Sequence, residues 1–254
     1  MTESVRKFLV KSRLDKILVD RGLAASRERA QALILAGKVL VDEQKIEKAG
    51  AQTDETAAIR LLGEDLKYVS RGGLKLECAL THWGIDVTGR ICADVGASTG
   101  GFTDCLLQHG AARIIAIDTG YGQMDFKLRQ DPRVRLLEKT NARYLTQEVL
   151  GESVEFIAVD VSFISARVIL PAVICAAFGT GPRGDIVVLV KPQFEAGREH
   201  VGKGGIVRDV AAQLASLEMV RAALVRLGAT KTDSIDSPIL GAEGNREFLL
   251  YGIF

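Results

Sequence analysis

Short, uninterrupted apolar runs recur along the C-terminal two thirds of the chain and alternate with segments of helical periodicity. Runs such as IIAI, FIAV and IVVLV lack the polar alternation of a half-exposed strand, which is typical of parallel strands buried on both faces. Beyond residue 90 the alternation predicts a doubly wound α/β sheet. We expect strands near 91–95, 113–118, 134–138, 155–160, 185–191, 230–235 and 246–253, and helices near 101–109, 124–130, 143–150, 165–177 and 208–227.

Two of these runs end in charged residues, Asp160 and Lys191. A charge is costly inside a buried strand but not at its end, and open α/β sheets bind ligands beyond the carboxyl ends of their strands. The last two predicted strands are joined by a loop too short for a crossover helix, so they should pair antiparallel. The final strand then begins at the same edge, which brings Glu247 towards Asp160 and Lys191. The alternative is a surface ion-pair cluster without catalytic purpose.

The N-terminal residues follow a different pattern, with two short amphipathic helices before a strand-like KVLVD segment. Leu14 and Ile17 lie at helical spacing, Ser26 suits the N-cap of the second helix, and Gly37 suits its end. Glycines and charges interrupt the pattern further on. We therefore predict a small α+β domain at 1–62, a linker at 63–70 and the α/β domain at 71–254.

The first strand of the α/β domain runs into a glycine-rich turn, DVGASTGGF, and then a helix. Backbone N–H groups and the helix N-terminus would face a bound ligand there. The G-x-x-x-G-G spacing differs from the dinucleotide and Walker patterns, which disfavours NAD and ATP. An acid at the end of the next strand is placed to take ribose hydroxyls. This pattern is typical of S-adenosylmethionine-dependent methyltransferases, whose fold is a Rossmann-like seven-stranded sheet with an antiparallel last strand. The candidate cofactor residues are Asp94, Gly96, Ala97, Ser98, Thr99, Gly100, Gly101, Phe102, Asp118 and Asn141, the last near the adenine.

Asn141 could equally cap the helix that follows it.

The sequence after the fourth strand, Asp160-Val161-Ser162-Phe163, narrows the chemical class of the group that accepts the methyl. It contains neither the N/D-P-P-aromatic motif of enzymes that methylate base amines nor a cysteine nucleophile. A lysine with carboxylates instead suits an alcohol such as a ribose 2′-OH, which must lose a proton and be held in line.

Composition excludes several classes of protein. With 47% hydrophobic and 26% charged residues, the 254-residue chain is globular, and no apolar run approaches the roughly 20 residues of a membrane span. Residues 1–11 lack the apolar core of a signal peptide, which predicts a cytoplasmic protein. The four cysteines form no CxxC pair, so we expect free thiols and no metal site. The net charge of +1 means that any nucleic-acid affinity must come from local clusters, and nothing indicates an obligate dimer, so a monomer is favoured.

Residues 12–50 resemble the S4 domain, a small RNA-binding module, in their R-L-D-K-x-L and S-R-x-x-A-x-x-L-I-x-x-G-x-V-x-V-[DN] pattern. The resemblance implies sequence-independent contacts to RNA phosphates. The candidate contacts are Arg13, Lys16, Arg27, Arg29 and Lys38. The alternative is an ordinary solvated helix face, because acids are interspersed among these bases.

Lys75, Asp160, Lys191 and Glu247 match the K-D-K-E tetrad of FtsJ/RrmJ-type ribose 2′-O-methyltransferases. With the S4-like segment, the motifs SRGGLKLECAL, DVGASTGGFTD, DVSFIS and VKPQFEAGREHVGKGGIVRD make residues 13–254 similar to the TlyA (haemolysin A) family of ribosomal-RNA 2′-O-methyltransferases.

The resemblance implies methyl transfer from S-adenosylmethionine to a ribose 2′-OH of ribosomal RNA, at a cytidine, with ribosomal RNA or ribosomal subunits as partners. Lys191 would accept the proton, which requires its neutral form, favoured by burial and by Lys75 nearby. Asp160 would steer Lys191, and Glu247 would orient Lys75. The loop 194–209 resembles a mobile basic flap.

Two residues of this loop, Arg198 and Lys203, are further candidate RNA contacts; the alternative is a merely flexible surface loop. Two rival functions remain: a non-catalytic RNA-binding or ribosome-assembly factor, and a membrane-lytic haemolysin. The absence of an apolar span disfavours the haemolysin.

Overall fold

The computed structural model describes residues 11–24, 26–62, 67–179, 184–241 and 244–254. It divides the chain into two compact units, Met1–Asp65 and Leu66–Phe254. Residues 63–66 of the predicted linker lie outside the described residues, and the predicted domain boundaries stay predictions.

The first unit packs two helices against short antiparallel strands. Its elements are β1 (Lys11–Arg13), α1 (Leu14–Asp20), α2 (Arg27–Leu35), β2 (Val39–Val41), β3 (Gln44–Lys45), β4 (Gln52–Asp54) and β5 (Ile59–Leu61). β1 pairs with β4, while β2 lies between β3 and β5. Ser26 Oγ accepts a hydrogen bond from Arg29 N, 3.2 Å away, and Gly37 has a φ of 65° just beyond the end of α2. Both predicted helix-end signals are therefore confirmed.

The second unit contains a seven-stranded sheet with helices on both faces. Its strands are β6 (Ile91–Val95), β7 (Arg113–Ile117), β8 (Val134–Leu137), β9 (Phe156–Val159), β10 (Asp185–Val190), β11 (Lys231–Asp236) and β12 (Phe248–Ile253). Its α-helices are α3 (Gly72–Trp83), α4 (Gly101–Gln108), α5 (Phe126–Arg129), α6 (Gln147–Leu150), α7 (Ala166–Phe178), α8 (Pro192–Glu195) and α9 (Val210–Arg226). Two 3-10 turns lie at Ala142–Tyr144 and Arg198–His200.

The strand order is β11-β12-β10-β9-β6-β7-β8, and β12 runs antiparallel to both of its neighbours. The predicted doubly wound sheet with a reversed last strand is confirmed. One predicted helix is wrong in detail: 143–150 is not continuous but consists of a 3-10 turn and α6. The break falls at Thr146, whose hydroxyl accepts a hydrogen bond from Val149 N and so begins a new helix.

The apolar runs fill the core because the sheet is covered on both faces. All four residues of β9 are buried, as are residues 186–190 of β10. Burial of each such Val, Ile or Leu side chain contributes about 1.5–3 kcal/mol. Among the described residues, no helix combines the length and apolar character needed to cross a membrane.

Candidate active site

The sheet register gathers four strand ends at one edge. Val159, at the end of β9, pairs with Val95 of β6 and Val188 of β10, and Val190 pairs with Phe248 of β12. Because the chain continues directly from these ends, Gly96, Asp160, Lys191 and Glu247 all lie at the carboxyl edge of the parallel strands. This is the edge at which ligands of α/β sheets bind.

Lys191 lies against Asp160 and Ser162. Its Nζ donates a hydrogen bond to Ser162 Oγ at 2.8 Å and lies 2.6 Å from Asp160 Oδ1. The approach to Asp160 lacks hydrogen-bond geometry, and within the described parts of the chain this buried oxygen has no hydrogen-bond partner. The contact is therefore a Coulombic attraction, while Ser162 supplies the directional bond.

Lys75 forms a second, more deeply buried pair with Glu247. Helix α3 carries Lys75 and the start of β12 follows Glu247, although the two residues are 172 positions apart in the chain. Their side chains are 11% and 2% exposed, and the ammonium group donates a hydrogen bond to the carboxylate. Loss of either partner would leave an uncompensated buried charge.

One residue of each pair lines a common cavity of about 400 Å³. Lys75 and Asp160 both line it, together with the glycine-rich turn at 96–99 and 101–102. The Ser70–Gly72 segment and residues 239–241 complete the wall. Lys191 and Glu247 do not line this cavity, but each contacts a residue that does, Asp160 and Lys75 respectively.

The glycine-rich turn depends on glycine at positions 96 and 100, because the backbone there has positive φ values. Gly96 has a φ of 92°, and an added Cβ would lie 2.3 Å from the carbonyl oxygen of Asp160. Gly100, with a φ of 96°, is the N-cap of α4. Asp118 fixes the turn from the next strand, because its Oδ2 accepts a hydrogen bond from Ser98 N at 2.8 Å. Its Oδ1 accepts another from Gly120 N at 2.6 Å.

A second cavity of about 400 Å³ also adjoins this turn and shares Gly96, Ser98 and Asp160 with the first. Gly96, Ser98, Asp118 and Asn141 line it, with residues 160–164. Asn141 also caps the 3-10 turn that follows, through a 3.0 Å hydrogen bond from Arg143 N to its Oδ1. The capping alternative is thus observed, and the same residue still faces the cavity.

Asp94 is fully buried two residues before the turn. Thr103 Oγ1 donates a 2.6 Å hydrogen bond to its Oδ2, while Oδ1 has no hydrogen-bond partner in the described portion of the chain. Burial raises the pKa of Asp94 to about 7, and the charge of Asp160 adds to the effect. A buried carboxylate with an unsatisfied oxygen suits a cationic ligand group.

Three residues of the site were not singled out from the sequence: Ser162, Phe163 and Glu195. Ser162 holds Lys191. Phe163 has a φ of 65°, is 93% exposed, and its ring centre lies 5.4 Å from that of Phe194. A bulky residue with positive φ is strained, which often marks a functional position. Ser162 and Phe163 both lie in the DVSFIS motif, so their place in this motif was the one sequence signal that could have identified them.

Glu195 connects the two loops that follow β9 and β10. Its buried carboxylate accepts hydrogen bonds from Ser165 Oγ and Ala166 N, each at 2.6 Å, and from Arg167 Nε at 3.0 Å. It therefore caps α7 from the loop that carries Lys191. Nothing in the sequence pattern signals this pairing of distant segments.

The predicted RNA contacts fall on both units. In the first unit, Lys16 is exposed, Arg29 and Lys38 are half-buried, and Arg13 and Arg27 are exposed but bound to Asp15. In the second unit, Arg198 and Lys203 are exposed.

The loop that carries Arg198 and Lys203 is attached at its C-terminal side. Asn245 Oδ1 accepts from Val207 N at 3.1 Å, its Nδ2 donates to Gly205 O at 2.9 Å, and Gln213 Nε2 donates to Val207 O at 2.7 Å. Val207 is buried. Any motion of the loop would therefore be confined to residues before Gly205.

A seven-stranded sheet with a reversed last strand and a glycine-rich turn after its first strand defines the class of α/β methyltransferases. Residues 68–254 match the model of the FtsJ-like methyltransferases, and residues 12–55 match the S4 domain. The chain belongs to the FtsJ-like methyltransferase family and carries an S4 domain at its N-terminal side.

Several relatives share both parts. The 16S/23S rRNA (cytidine-2′-O)-methyltransferase TlyA of Mycobacterium tuberculosis is 46% identical over 95% of this chain and 89% of its own length. Hemolysin A of Brachyspira hyodysenteriae is 41% identical over 95% and 99%. A solved structure of a candidate hemolysin from Streptococcus thermophilus is similar with a TM-score of 0.72 and 43% identity, covering 96% of this chain and 89% of that one.

Proposed function

We propose that this protein transfers a methyl group from S-adenosylmethionine to a ribose 2′-OH of ribosomal RNA, at a cytidine as in the name of its Mycobacterium tuberculosis relative. The observation that carries the proposal is the meeting of two lysine–carboxylate pairs, Lys191 with Asp160 and Lys75 with Glu247, beside the glycine-rich turn. Lysines and carboxylates suit removal of a proton from an alcohol.

The residues around the turn fit S-adenosylmethionine. The turn at 96–102 allows close approach to backbone N–H groups. Asp118 and Asn141 line the second cavity, where Asp118 could accept hydrogen bonds from ribose hydroxyls. Asp94 lines neither cavity, and its buried side chain supports the turn through its hydrogen bond from Thr103 of α4. When bound, S-adenosylmethionine supplies an electrophilic methyl group on a sulfonium.

Lys191 is the proposed proton acceptor for the 2′-OH. The proton passes from O2′ to Nζ, so the reaction requires Lys191 as the free amine, and the ion pair that Lys191 forms with Asp160 must first lose its proton. Ser162 and Asp160 fix the position of Nζ at 2.8 and 2.6 Å. Lys75 forms an ion pair with Glu247 and lines the same cavity, where it would stabilise negative charge developing on O2′.

We assign RNA binding to the S4 unit and to exposed residues of the second unit. S4 arginines and lysines would hold phosphates, while Arg198 and Lys203 would contact the RNA from the loop 194–209. The exposed ring of Phe163 offers a surface on which a base could stack. A protein that acts on ribosomal RNA would work in the cytoplasm.

The test is methyl transfer with radiolabelled cofactor to ribosomal subunits and to free ribosomal RNA. Mapping by resistance to alkaline cleavage should place the label on a ribose 2′-oxygen. Lys191→Ala should lower transfer by about 10²–10⁴-fold, the usual contribution of a general base, while binding the cofactor as wild type does. Lys231→Ala, which removes an exposed lysine of β11, is the matched control and should retain full activity.

Two results would contradict the proposal. Label on a base, or an alkali-sensitive linkage at the labelled site, would exclude 2′-O-methylation. Binding of cofactor and RNA without transfer to any subunit or RNA would favour the non-catalytic assembly factor.

A further inference from the structure

Asp15 is a fully buried carboxylate that binds three side chains of the first unit. Arg13 donates to it twice, from Nε at 3.0 Å and from Nη2 at 2.8 Å. Arg27 Nε and Gln31 Nε2 donate to Oδ2 at 3.2 and 2.8 Å. The hydrogen bonds, led by those from Arg13, hold the pKa of Asp15 well below its usual range, so the carboxylate stays ionised at neutral pH.

Stability alone gives little reason for this arrangement. Replacement of a buried ionic cluster by apolar side chains is often neutral or stabilising. Asp15 lies on α1 between Leu14 and Ile17, which are both buried, so an apolar residue could extend the core there. The effect of the carboxylate on the orientation of Arg13 and Arg27 offers a better explanation.

Both arginines remain open to solvent. The side chains of Arg13 and Arg27 are 45% and 55% exposed. Within the described residues, Nη1 of Arg13 and both Nη groups of Arg27 donate no hydrogen bond. Because both guanidinium groups contact the same oxygen, Asp15 Oδ2, they are held side by side despite their like charges.

We propose that Asp15 is a positioning residue that aligns Arg13 and Arg27 as a paired fork for an RNA backbone phosphate. The inference rests on the proposed RNA-binding function and adds how the binding surface is organised. A guanidinium group binds phosphate through a planar set of donors, so its orientation matters as well as its charge. The carboxylate fixes both orientations before RNA arrives, which reduces the ordering required on binding.

Asp15→Asn separates positioning from charge, because the two effects have opposite signs. The variant keeps the side-chain shape and adds one positive charge to the unit. If only net charge mattered, RNA would bind more tightly. If Asp15 aligns the arginines, RNA should bind more weakly, and we expect about a tenfold loss for a fork of this kind.

Asp20→Asn is the matched control, because Asp20 is an exposed acid at the end of the same helix and its replacement adds the same charge. It should bind RNA as tightly as wild type or more tightly. Binding is measured by filter retention of a ribosomal-RNA fragment on the full chain, over a series of salt concentrations. For Asp15→Asn, the slope of log K against log salt should become shallower by about 1, the value for one lost phosphate contact.

Folding is checked by circular dichroism and thermal unfolding, and cofactor affinity should be unchanged. If Asp15→Asn does not fold, Arg27→Lys decides: it keeps the charge but loses the planar fork, and it should also weaken binding. A folded Asp15→Asn that binds as tightly as wild type overturns the inference, as does unchanged binding by Arg27→Lys. Failure of the wild type to bind RNA at all would instead overturn the proposed function.

Discussion

Asp94 should make the stability of the second unit depend on pH. In the folded protein its pKa is raised from 3.8 to about 7, chiefly because the carboxylate is fully buried. The unfolded chain releases this proton near pH 4, whereas the folded chain holds it until about pH 7. Asp94 therefore costs no stability below pH 4, and its cost grows as the pH rises from 4 to 7.

The size of the effect follows from the two pKa values. Each tenfold change in proton affinity corresponds to about 1.4 kcal/mol, so a rise from 3.8 to about 7 lowers the free energy of unfolding by about 4 kcal/mol at pH 8. Asp94→Asn has no such titration. The stability of wild type relative to this variant should therefore fall by about 4 kcal/mol between pH 4 and pH 8.

The assay is urea unfolding of both proteins across this pH range, followed by tryptophan fluorescence. Trp83 is the only tryptophan and stacks on Tyr251 with ring centres 5.1 Å apart, so it reports on the second unit. Effects of pH on the free energy of unfolding that come from other groups are common to both proteins and cancel in the difference between them. A stability difference that does not change with pH, or that favours wild type as the pH rises, would refute the reasoning.

Two further predictions concern the buried ion pair of Lys75 with Glu247 and the exposed ring of Phe163. Lys75→Met and Glu247→Leu should each destabilise the protein by about 3–5 kcal/mol in the same urea assay, whereas the double variant should be far less unstable than the sum; additive losses would argue against the pair. Phe163→Ala should leave stability within about 0.5 kcal/mol, because the ring is 93% exposed. It should lower methyl transfer to RNA about tenfold through lost base stacking, with cofactor affinity unchanged; wild-type transfer would exclude a stacking role.

The sheet could be predicted because its information is local. Uninterrupted apolar runs marked the parallel strands, and a short loop before the last strand required an antiparallel pair. The same logic placed Asp160, Lys191 and Glu247 at one edge. Lys75 could not be placed in this way, because its helix lies outside the strand pattern and only the family resemblance singled it out.

The contacts that fix the site in three dimensions were beyond the sequence pattern. Glu195 caps a helix that begins almost thirty positions earlier in the chain, and Asp15 in the sequence looked like one acid among bases. Each depends on which distant groups meet in the folded chain, and periodicity carries no information about such meetings. The split of the predicted helix at 143–150 has a different cause, since the capping hydroxyl of Thr146 outweighed continued helical spacing.

The position of β12 between β10 and β11 affects when the protein becomes competent during synthesis. This strand is made last of the seven, yet it lies inside the sheet and brings Glu247 to Lys75, 172 positions away. Until β12 joins the sheet, the edge of β10 that pairs with it is open, and Glu247 is not held against Lys75. A nascent chain can thus assemble its glycine-rich turn early, but the ion pair of Lys75 with Glu247 can form only at the stage when β12 joins the sheet.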